Sequence, residues 1–284
     1  MRAYPECIPC FINQGLNAVK KLKLPKEKEL EIAKRCLKLL SQFENFDQSP
    51  AYYAYFIQQI VKEIAQTEDP FREMKKLANK TALRMLEEVR KDYEKAPDKL
   101  AFSIKLSAIG NYIDFAVKGE FDVEREVKGL LNSEFTIFDY EIFKEKLKNA
   151  NSVLIIGDNA GEIVFDKLLV ETLKDLGKEV IYAVKGKPIL NDATVEDAQE
   201  VSMTSLCKVL HNGSDKVGTW LEDCSAEFKK HFYEADIVIS KGQANFETLS
   251  EVERDIFFLL VAKCNPIASE TNGKVKGLIF KYKG

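Results

Sequence analysis

The sequence lacks a long hydrophobic run. It has 284 residues, and its longest apolar stretch covers only residues 256–262. A segment that spans a bilayer needs roughly 20 such residues. Residues 1–10 are polar, are interrupted by proline and contain no apolar core of a secretory signal. We therefore expect a cytoplasmic protein that does not interact with a membrane.

Cysteine, histidine and glycine-rich motifs are also scarce. The six cysteines are scattered, which argues against a disulfide-stapled secreted scaffold. The two histidines, His211 and His231, do not belong to a convincing Ser-His-Asp set. Neither a GxGxxG sequence nor a Walker A sequence occurs. The sequence therefore gives no sign of a serine hydrolase or of a P-loop nucleotide-binding protein.

An excess of charge of one sign is missing as well. The 42 basic and 45 acidic residues leave a formal net charge of −3. Proteins that bind nucleic acid or anionic membranes need a concentrated basic surface, so we expect no nucleic-acid partner. What the sequence does have is an apolar fraction of 45%, including 18 phenylalanines. This composition is typical of a globular protein with a sizeable core.

The two halves of the chain have different hydrophobic patterns. Between about residues 26 and 147, apolar residues recur at intervals of three and four, which predicts helices with short connections. After residue 151, short β-branched runs alternate with helical stretches, and this alternation is typical of a mostly parallel sheet. We therefore predict an α/β protein with a helical domain over residues 1–150. A Rossmann-like, doubly wound domain is expected over residues 151–284.

Polar clusters follow three of the predicted strands. Ligands of open α/β sheets bind beyond the carboxyl ends of the strands, so these clusters are the candidate functional segments. They are residues 157–162 (GDNAGE), 191–194 (NDAT) and 241–247 (KGQANFE). Each cluster also has an ordinary structural explanation, because Asp-Asn and Asn-Asp often cap helices and Lys-Gly is common in turns. Their occurrence at successive strand ends is what favours a shared site.

The side chains in these clusters suit a phosphate and a hard metal ion. Asp158, Asn159 and Asp192 provide oxygen ligands of the kind that Mg²⁺ or Mn²⁺ prefers. Lys241 adds a compact cation that suits a phosphate oxygen. The combination predicts a site for phosphoryl chemistry.

At these residues the sequence resembles the damage-control phosphatase family, an ARMT-like group of metal-dependent phosphatases. The resemblance spans nearly the whole chain, and its segments occur in the expected order. It also includes an N-terminal CxxC, which is similar to one branch of the family. The matching segments are residues 7–10, 69–71, 110–114, 157–162, 191–194 and 241–247.

The resemblance implies a helical domain on a Rossmann-like domain, and it implies a role for each motif residue. Asp158, Asn159 and Asp192 are expected to bind a divalent metal, which could be Mn²⁺, Ni²⁺, Co²⁺ or Mg²⁺. Lys241 is expected to contact the phosphate. The residues expected to line the substrate pocket are Asn111, Asp114, Glu162 and Asn245.

The resemblance further implies hydrolysis of small phosphorylated metabolites, such as sugar phosphates and damaged nucleotides or their precursors. One branch of the family has an Arg-Thr-x-Lys motif near its C-terminus, and this chain has Ala262-Lys263-Cys264 instead. The sugar-phosphate selectivity of that branch is therefore not transferred to this chain.

The CxxC motif allows three interpretations. Cys7 and Cys10 could form part of an accessory Zn or Fe site, a redox pair, or two packed small side chains. Two thiolates are too few to close a metal site on their own. All three interpretations stay open at the level of the sequence.

Two other functions compete with the phosphatase. A Rossmann-like half with acidic strand ends could bind S-adenosylmethionine in a methyltransferase, but a glycine-rich first loop followed by an acidic ribose ligand is absent. A scaffold with a metal-stabilised core would show no turnover. Release of inorganic phosphate from a phosphoester panel, with and without Mn²⁺, distinguishes all three.

Overall fold

Helices dominate the N-terminal half of the computed structural model, which describes residues 1–113 and 120–284. Their apolar faces explain the intervals of three and four in the sequence. Helix α5 begins after Asp98, whose Oδ1 accepts a hydrogen bond from the Ala101 N–H at 2.9 Å. The helices of this half are α1 (Cys7–Lys21), α2 (Lys26–Leu40), α3 (Pro50–Ala65), α4 (Arg72–Lys95), α5 (Lys99–Tyr112) and α6 (Glu120–Leu131).

A seven-stranded sheet forms the centre of the second half. Its order is β1-β7-β6-β5-β2-β3-β4. All neighbours are parallel except β6 and β7, which are antiparallel. The predicted α/β class with a mostly parallel sheet is therefore confirmed. The strands are β1 (Phe135–Phe138), β2 (Ser152–Ile156), β3 (Glu179–Val184), β4 (Lys208–His211), β5 (Ile237–Lys241), β6 (Ile256–Val261) and β7 (Leu278–Lys283).

Six further helices connect the strands. The run of buried residues in β6 and β5 shows that both faces of the sheet are covered. Within the described residues, no helix has the length and apolar character needed to cross a membrane. The connecting helices are α7 (Tyr140–Asn149), α8 (Glu162–Asp175), α9 (Val195–Glu200), α10 (Ala226–Glu234), α11 (Gln243–Leu249) and α12 (Asn265–Thr271).

The sheet begins before the predicted domain boundary near residue 150. Strand β1 and helix α7 both lie within the segment expected to be a helical domain. The sequence pattern does not predict strand β1, because the strand has only four residues and pairs along one side with β7 alone. Residues of α4 and α5, such as Ala82 and Ile104, also share a hydrophobic cluster with Ile155 of β2 and Leu168 of α8. The division into segments 1–150 and 151–284 stays a prediction.

The strand order creates a crevice between β2 and β5. The chain runs from β2 outward to β3 and β4, and then returns to the other side of β2 as β5. Ligands of open α/β sheets bind at such a switch point, beyond the carboxyl ends of the strands. Residues 157 and 158 follow β2 there, and residue 242 follows β5. Helix α3 lies over the same edge, since Ala51 and Ala54 pack with Ile189 and Val217.

Candidate metal centre and active site

The three predicted metal ligands lie together at the switch point. Asp158 and Asn159 follow β2 after one intervening glycine, and Asp192 lies in the loop that follows β3. Backbone hydrogen bonds join the two loops: the Ala193 N–H donates to the carbonyl oxygen of Asp158 at 2.8 Å, and Asn159 and Asp192 form an antiparallel bridge. The loops are therefore held in one arrangement by the main chain.

Gly242 brings β5 against the first of these carboxylates. Its φ is +80°, a conformation that favours glycine. A Cβ at this position would lie 1.9 Å from Oδ2 of Asp158. Only glycine therefore permits the strand end to approach the carboxylate so closely.

Burial raises the pKa of both aspartates in the candidate metal centre. The pKa of Asp158 is raised to about 8, first by burial and then by the negative charges of Glu162 and Asp192. The pKa of Asp192 is raised to about 6 by burial, although the Lys185 ammonium, 3.5 Å away, acts in the opposite direction. A bound cation would favour the ionised form of both carboxyls.

The buried charges around the site do not balance. Among the described residues, Asp192 has one ion-pair partner, Lys185 at 3.5 Å, and Asp158 has none. Both aspartates are buried, and buried charges are normally paired or bound to metal. A divalent cation would compensate this excess of negative charge.

The orientation of the Asn159 amide fits a metal ligand. Its Nδ2 donates to Oδ2 of Asp158 at 2.7 Å and to Oε2 of Glu162 at 3.1 Å. Carboxylates only accept hydrogen bonds, so this network assigns the nitrogen to their side and leaves Oδ1 on the other side. In the described part of the chain, Oδ1 of Asn159 accepts no hydrogen bond. The residues present therefore fit a hard divalent cation.

The set of candidate ligand side chains is small compared with that of most protein metal sites. Among residues 1–113 and 120–284, no group of three or more His, Cys, Asp or Glu side chains is arranged to hold a metal ion. The candidate centre has two carboxylates and one amide, and such a site leaves positions for water or substrate. Assignment of the three side chains as ligands stays a prediction.

Lys241 occupies a different place from the one expected. The side chain is fully buried, and its ammonium donates to Oε1 of Glu162, to Oδ1 of Asp166 at 2.7 Å and to the carbonyl oxygen of Ser107 at 3.3 Å. An ammonium has three N–H donors, and these three acceptors use them all. The arrangement does not support direct contact between Lys241 and a phosphate, because the side chain points beneath the site.

Three of the residues expected to line the substrate pocket also lie beneath the site. Asn111 donates to Oδ2 of Asp158 at 2.8 Å and to Oε2 of Glu162 at 3.0 Å. Asn245 donates to the carbonyl oxygens of Gly157 at 3.2 Å and Lys241 at 2.8 Å, so it joins the ends of β2 and β5. The side chains of Asn111, Glu162 and Asn245 are each at most 3% exposed. Their contacts are with the protein.

The fourth residue in that prediction, Asp114, lies outside the described residues. Sequence reasoning also missed two lysines near the ligands. Lys185 directly follows β3 and forms the buried ion pair with Asp192, and Lys263 follows β6. The strand-end rule that drew attention to residues 157–162 could have identified both.

An open cavity of about 320 Å³ adjoins the candidate metal centre. Much of its wall is apolar and comes from α1, α3 and the loop before Asp192. Among the described residues that line it, Lys263 provides the one lysine or arginine side chain, and its charge lowers the pKa of Asp158. The lining includes Phe11, Ala54, Asp158, Asn159, Asp192, Val217, Glu247 and Lys263.

The CxxC motif reaches the same cavity. Cys7 and Cys10 line it together with Cys264, and all three are free thiols. Burial raises the pKa of Cys7 to about 11 and also raises that of Cys10, which favours the neutral thiols. The accessory metal site, the redox pair and simple packing all stay predictions.

The fold and the crevice together define an α/β protein with an acidic, oxygen-rich ligand site at the switch point of its sheet. Comparison with known proteins shows to which family the chain belongs. The model of the damage-control phosphatase ARMT1-like domain matches residues 3–279. The chain belongs to that family, and the predicted class of enzyme, a phosphatase, is confirmed.

Individual relatives agree with this assignment. A damage-control phosphatase of Pyrococcus horikoshii is 36% identical, with 95% of this chain and 94% of the relative covered. A damage-control phosphatase of Archaeoglobus fulgidus is 32% identical, with 99% of both chains covered. An uncharacterised protein of Methanocaldococcus jannaschii is 35% identical over 93% of this chain and 90% of its own length.

The fold is shared with a solved structure. The crystal structure of a DUF89 family protein from Pyrococcus horikoshii superposes with a TM-score of 0.91 at 34% sequence identity, and all of both chains is covered. None of these similarities favours a methyltransferase or a scaffold.

Proposed function

We propose that this chain hydrolyses phosphomonoesters of small metabolites with a divalent metal bound by Asp158, Asn159 and Asp192. The observation that carries the proposal is the convergence of three side chains with oxygen donors in a crevice that has an excess of negative charge. The choice among Mn²⁺, Ni²⁺, Co²⁺ and Mg²⁺ and the cytoplasmic location remain predictions.

The metal ligands and Lys263 would have different roles in hydrolysis. When bound, the metal supplies Lewis-acid polarisation of the phosphate and lowers the pKa of a water molecule. Lys263 lines the cavity beside Asp158 and is placed to attract the phosphate oxygens, the role that the sequence suggested for Lys241. A positive charge at that point would stabilise the negative charge that develops on the phosphate oxygens.

The cavity also bears on the kind of substrate. About 320 Å³ suits a small metabolite, and a single lining lysine suits one phosphate group rather than a chain of several. The apolar wall formed by Phe11, Ala54 and Val217 would contact the organic part of the molecule.

A phosphate-release assay tests the proposal. Protein stripped of metal by a chelator would be offered a panel of phosphomonoesters, before and after addition of Mn²⁺. We expect hydrolysis that depends on the added metal and that is absent in Asp192→Ala. Metal-independent hydrolysis, or no hydrolysis of any phosphomonoester, would contradict it.

A further inference from the structure

A buried chain of polar contacts connects Lys241 to the candidate metal centre. The Lys241 ammonium donates to Oε1 of Glu162, and the other oxygen of that carboxylate, Oε2, faces the ligands. Oε2 accepts from the Asn159 side chain at 3.1 Å, from the Asn159 backbone N–H at 3.3 Å and from Asn111 at 3.0 Å. Glu162 therefore lies between Lys241 and Asn159, with one oxygen for each.

We propose that Lys241 is a positioning residue that acts through Glu162. Together they hold the side-chain amide of Asn159 so that its oxygen, and not its nitrogen, faces the metal. This inference rests on the proposed metal site and goes beyond it, because it assigns a role to two buried residues that touch neither metal nor substrate.

The chemistry of an amide makes such a device necessary. The oxygen and nitrogen of Asn have almost the same shape, so packing alone barely distinguishes the two orientations. A metal ion binds the lone pairs of the amide oxygen, whereas the NH₂ group offers only hydrogen-bond donors. A carboxylate next to Nδ2 resolves the ambiguity, because it has only acceptors to offer. Asp158 Oδ2 contributes in the same way, at 2.7 Å from Nδ2.

The ammonium in turn explains why a carboxylate can occupy this position. Glu162 is fully buried, and an unpaired buried carboxylate would be strongly unfavourable. Lys241 compensates the charge at Oε1 and leaves Oε2 for Asn159. The lysine therefore holds Glu162 in the orientation that presents Oε2 to Asn159.

Asp166 offers a matched control within the same cluster. It is also fully buried and also bonded to Lys241, at 2.7 Å. Its other partners are the hydroxyls of Tyr182, at 2.6 Å, and Ser107, at 2.5 Å. Within the described part of the chain it makes no hydrogen bond to a candidate metal ligand. A change at Asp166 therefore alters charge and packing without releasing the Asn159 amide.

The test measures Mn²⁺ binding by calorimetry on protein stripped of metal. Glu162→Gln places an amide N–H group against either Lys241 or Asn159, so we expect the Kd for Mn²⁺ to rise by about 10- to 100-fold, the scale found for partners of metal ligands. Asp166→Asn removes the same charge at the same depth, and we expect its Kd to stay within about threefold of the parent. Equal losses in the two variants would overturn the proposal.

A second comparison separates orientation from simple charge. The double variant Lys241→Met/Glu162→Gln removes one positive and one negative charge, so the net charge is that of the parent. Positioning predicts that the weak binding persists, whereas a purely Coulombic effect predicts recovery of the parent Kd, which would overturn the proposal. Near-UV circular dichroism checks that each variant is folded. If the double variant does not fold, the comparison of Glu162→Gln with Asp166→Asn decides the question. Absence of Mn²⁺ binding in the parent would instead refute the proposed metal site itself.

Discussion

Two buried aspartates at the edge of the sheet show opposite behaviour. Asp197, in the first turn of α9, has both oxygens satisfied by the protein. Its Oδ1 accepts from Asn79 at 3.0 Å, and its Oδ2 accepts from Lys75 at 3.2 Å and from the backbone and hydroxyl of Thr194 at 2.9 Å each. This aspartate forms a capping box and joins α9 to α4.

Asp158 is as deeply buried but has fewer partners. Its Oδ2 accepts from Asn111 and Asn159, and its Oδ1 accepts no hydrogen bond from the described residues. The neighbouring Asp192 has its ion pair with Lys185 at 3.5 Å. A buried carboxylate that the protein satisfies is part of the framework, whereas one that it leaves incompletely paired is prepared for a ligand. The following predictions test this difference.

The largest effect is expected from removal of a candidate ligand. Asp192→Ala should reduce Mn²⁺-stimulated phosphate release by at least roughly 10²- to 10³-fold, because one hard oxygen ligand and its charge are lost. The measurement is kcat/KM for a phosphomonoester at saturating Mn²⁺. Parent-like activity in the purified variant would rule out Asp192 as a ligand.

Asp197→Ala is the matched control for that variant. It leaves Lys75 without one buried partner, so the free energy of unfolding should fall by about 3 kcal/mol, the scale for breaking a buried ion pair. The Kd for Mn²⁺ should stay close to that of the parent. A loss of metal affinity as large as in Asp192→Ala would erase the distinction between the two aspartates.

A somewhat smaller effect is expected from Gly242→Ala. The new Cβ would collide with Oδ2 of Asp158 in a backbone conformation that disfavours alanine, so Mn²⁺ affinity should fall by roughly 10-fold or more. Gly177→Ala is the control, since Gly177 also has a positive φ of +76° but has open space around its Cβ position. Both variants carry backbone strain, and only the first should bind Mn²⁺ weakly in calorimetry.

Lys263→Met tests the cation that lines the cavity. We expect kcat/KM to fall by roughly 10- to 100-fold, because a charge near the phosphate is lost while most of the side-chain length is kept. Metal affinity without substrate should hold or improve, since a positive charge beside Asp158 has gone. Lys274→Met, at an exposed lysine, serves as the control for loss of one charge. Equal kcat/KM values in the two variants would exclude Lys263 from phosphate binding.

The last prediction concerns pH and Glu247, a cavity residue outside the metal set. Burial raises its pKa from 4.5 to about 7. Below pH 4.5 the carboxyl is protonated in both folded and unfolded states and costs no stability. As pH rises from 4.5 to 7, the unfolded state loses the proton first, so stability falls by up to about 3 kcal/mol and then stays level.

Glu247→Gln should remove this dependence. Chemical denaturation at pH 5 and pH 8 measures it: the variant should gain stability relative to the parent at pH 8 and gain much less at pH 5. A difference between the two proteins that does not change with pH would show that the pKa of Glu247 is not raised.

Much of the fold was predictable because its signals are local. The short β-branched runs after residue 151 predicted strands such as β2, and the apolar spacing of three and four between residues 26 and 147 predicted helices such as α3 and α4. Strand β1 was missed because four residues at one side of the sheet carry too little pattern. Its place depends on pairing with β7, which lies more than 130 residues further along the chain.

The sequence by itself determined the α/β class, the family and the positions at strand ends where functional side chains would occur. These follow from periodicity and from short motifs, which are properties of neighbouring residues. Only the tertiary structure decided the direction of each side chain. Lys241 and Lys263 both follow apolar strands in the sequence, yet one is enclosed by Glu162 and Asp166 while the other lines the cavity. Which lysine meets buried carboxylates depends on how α8 packs against the sheet, and no local pattern encodes that contact.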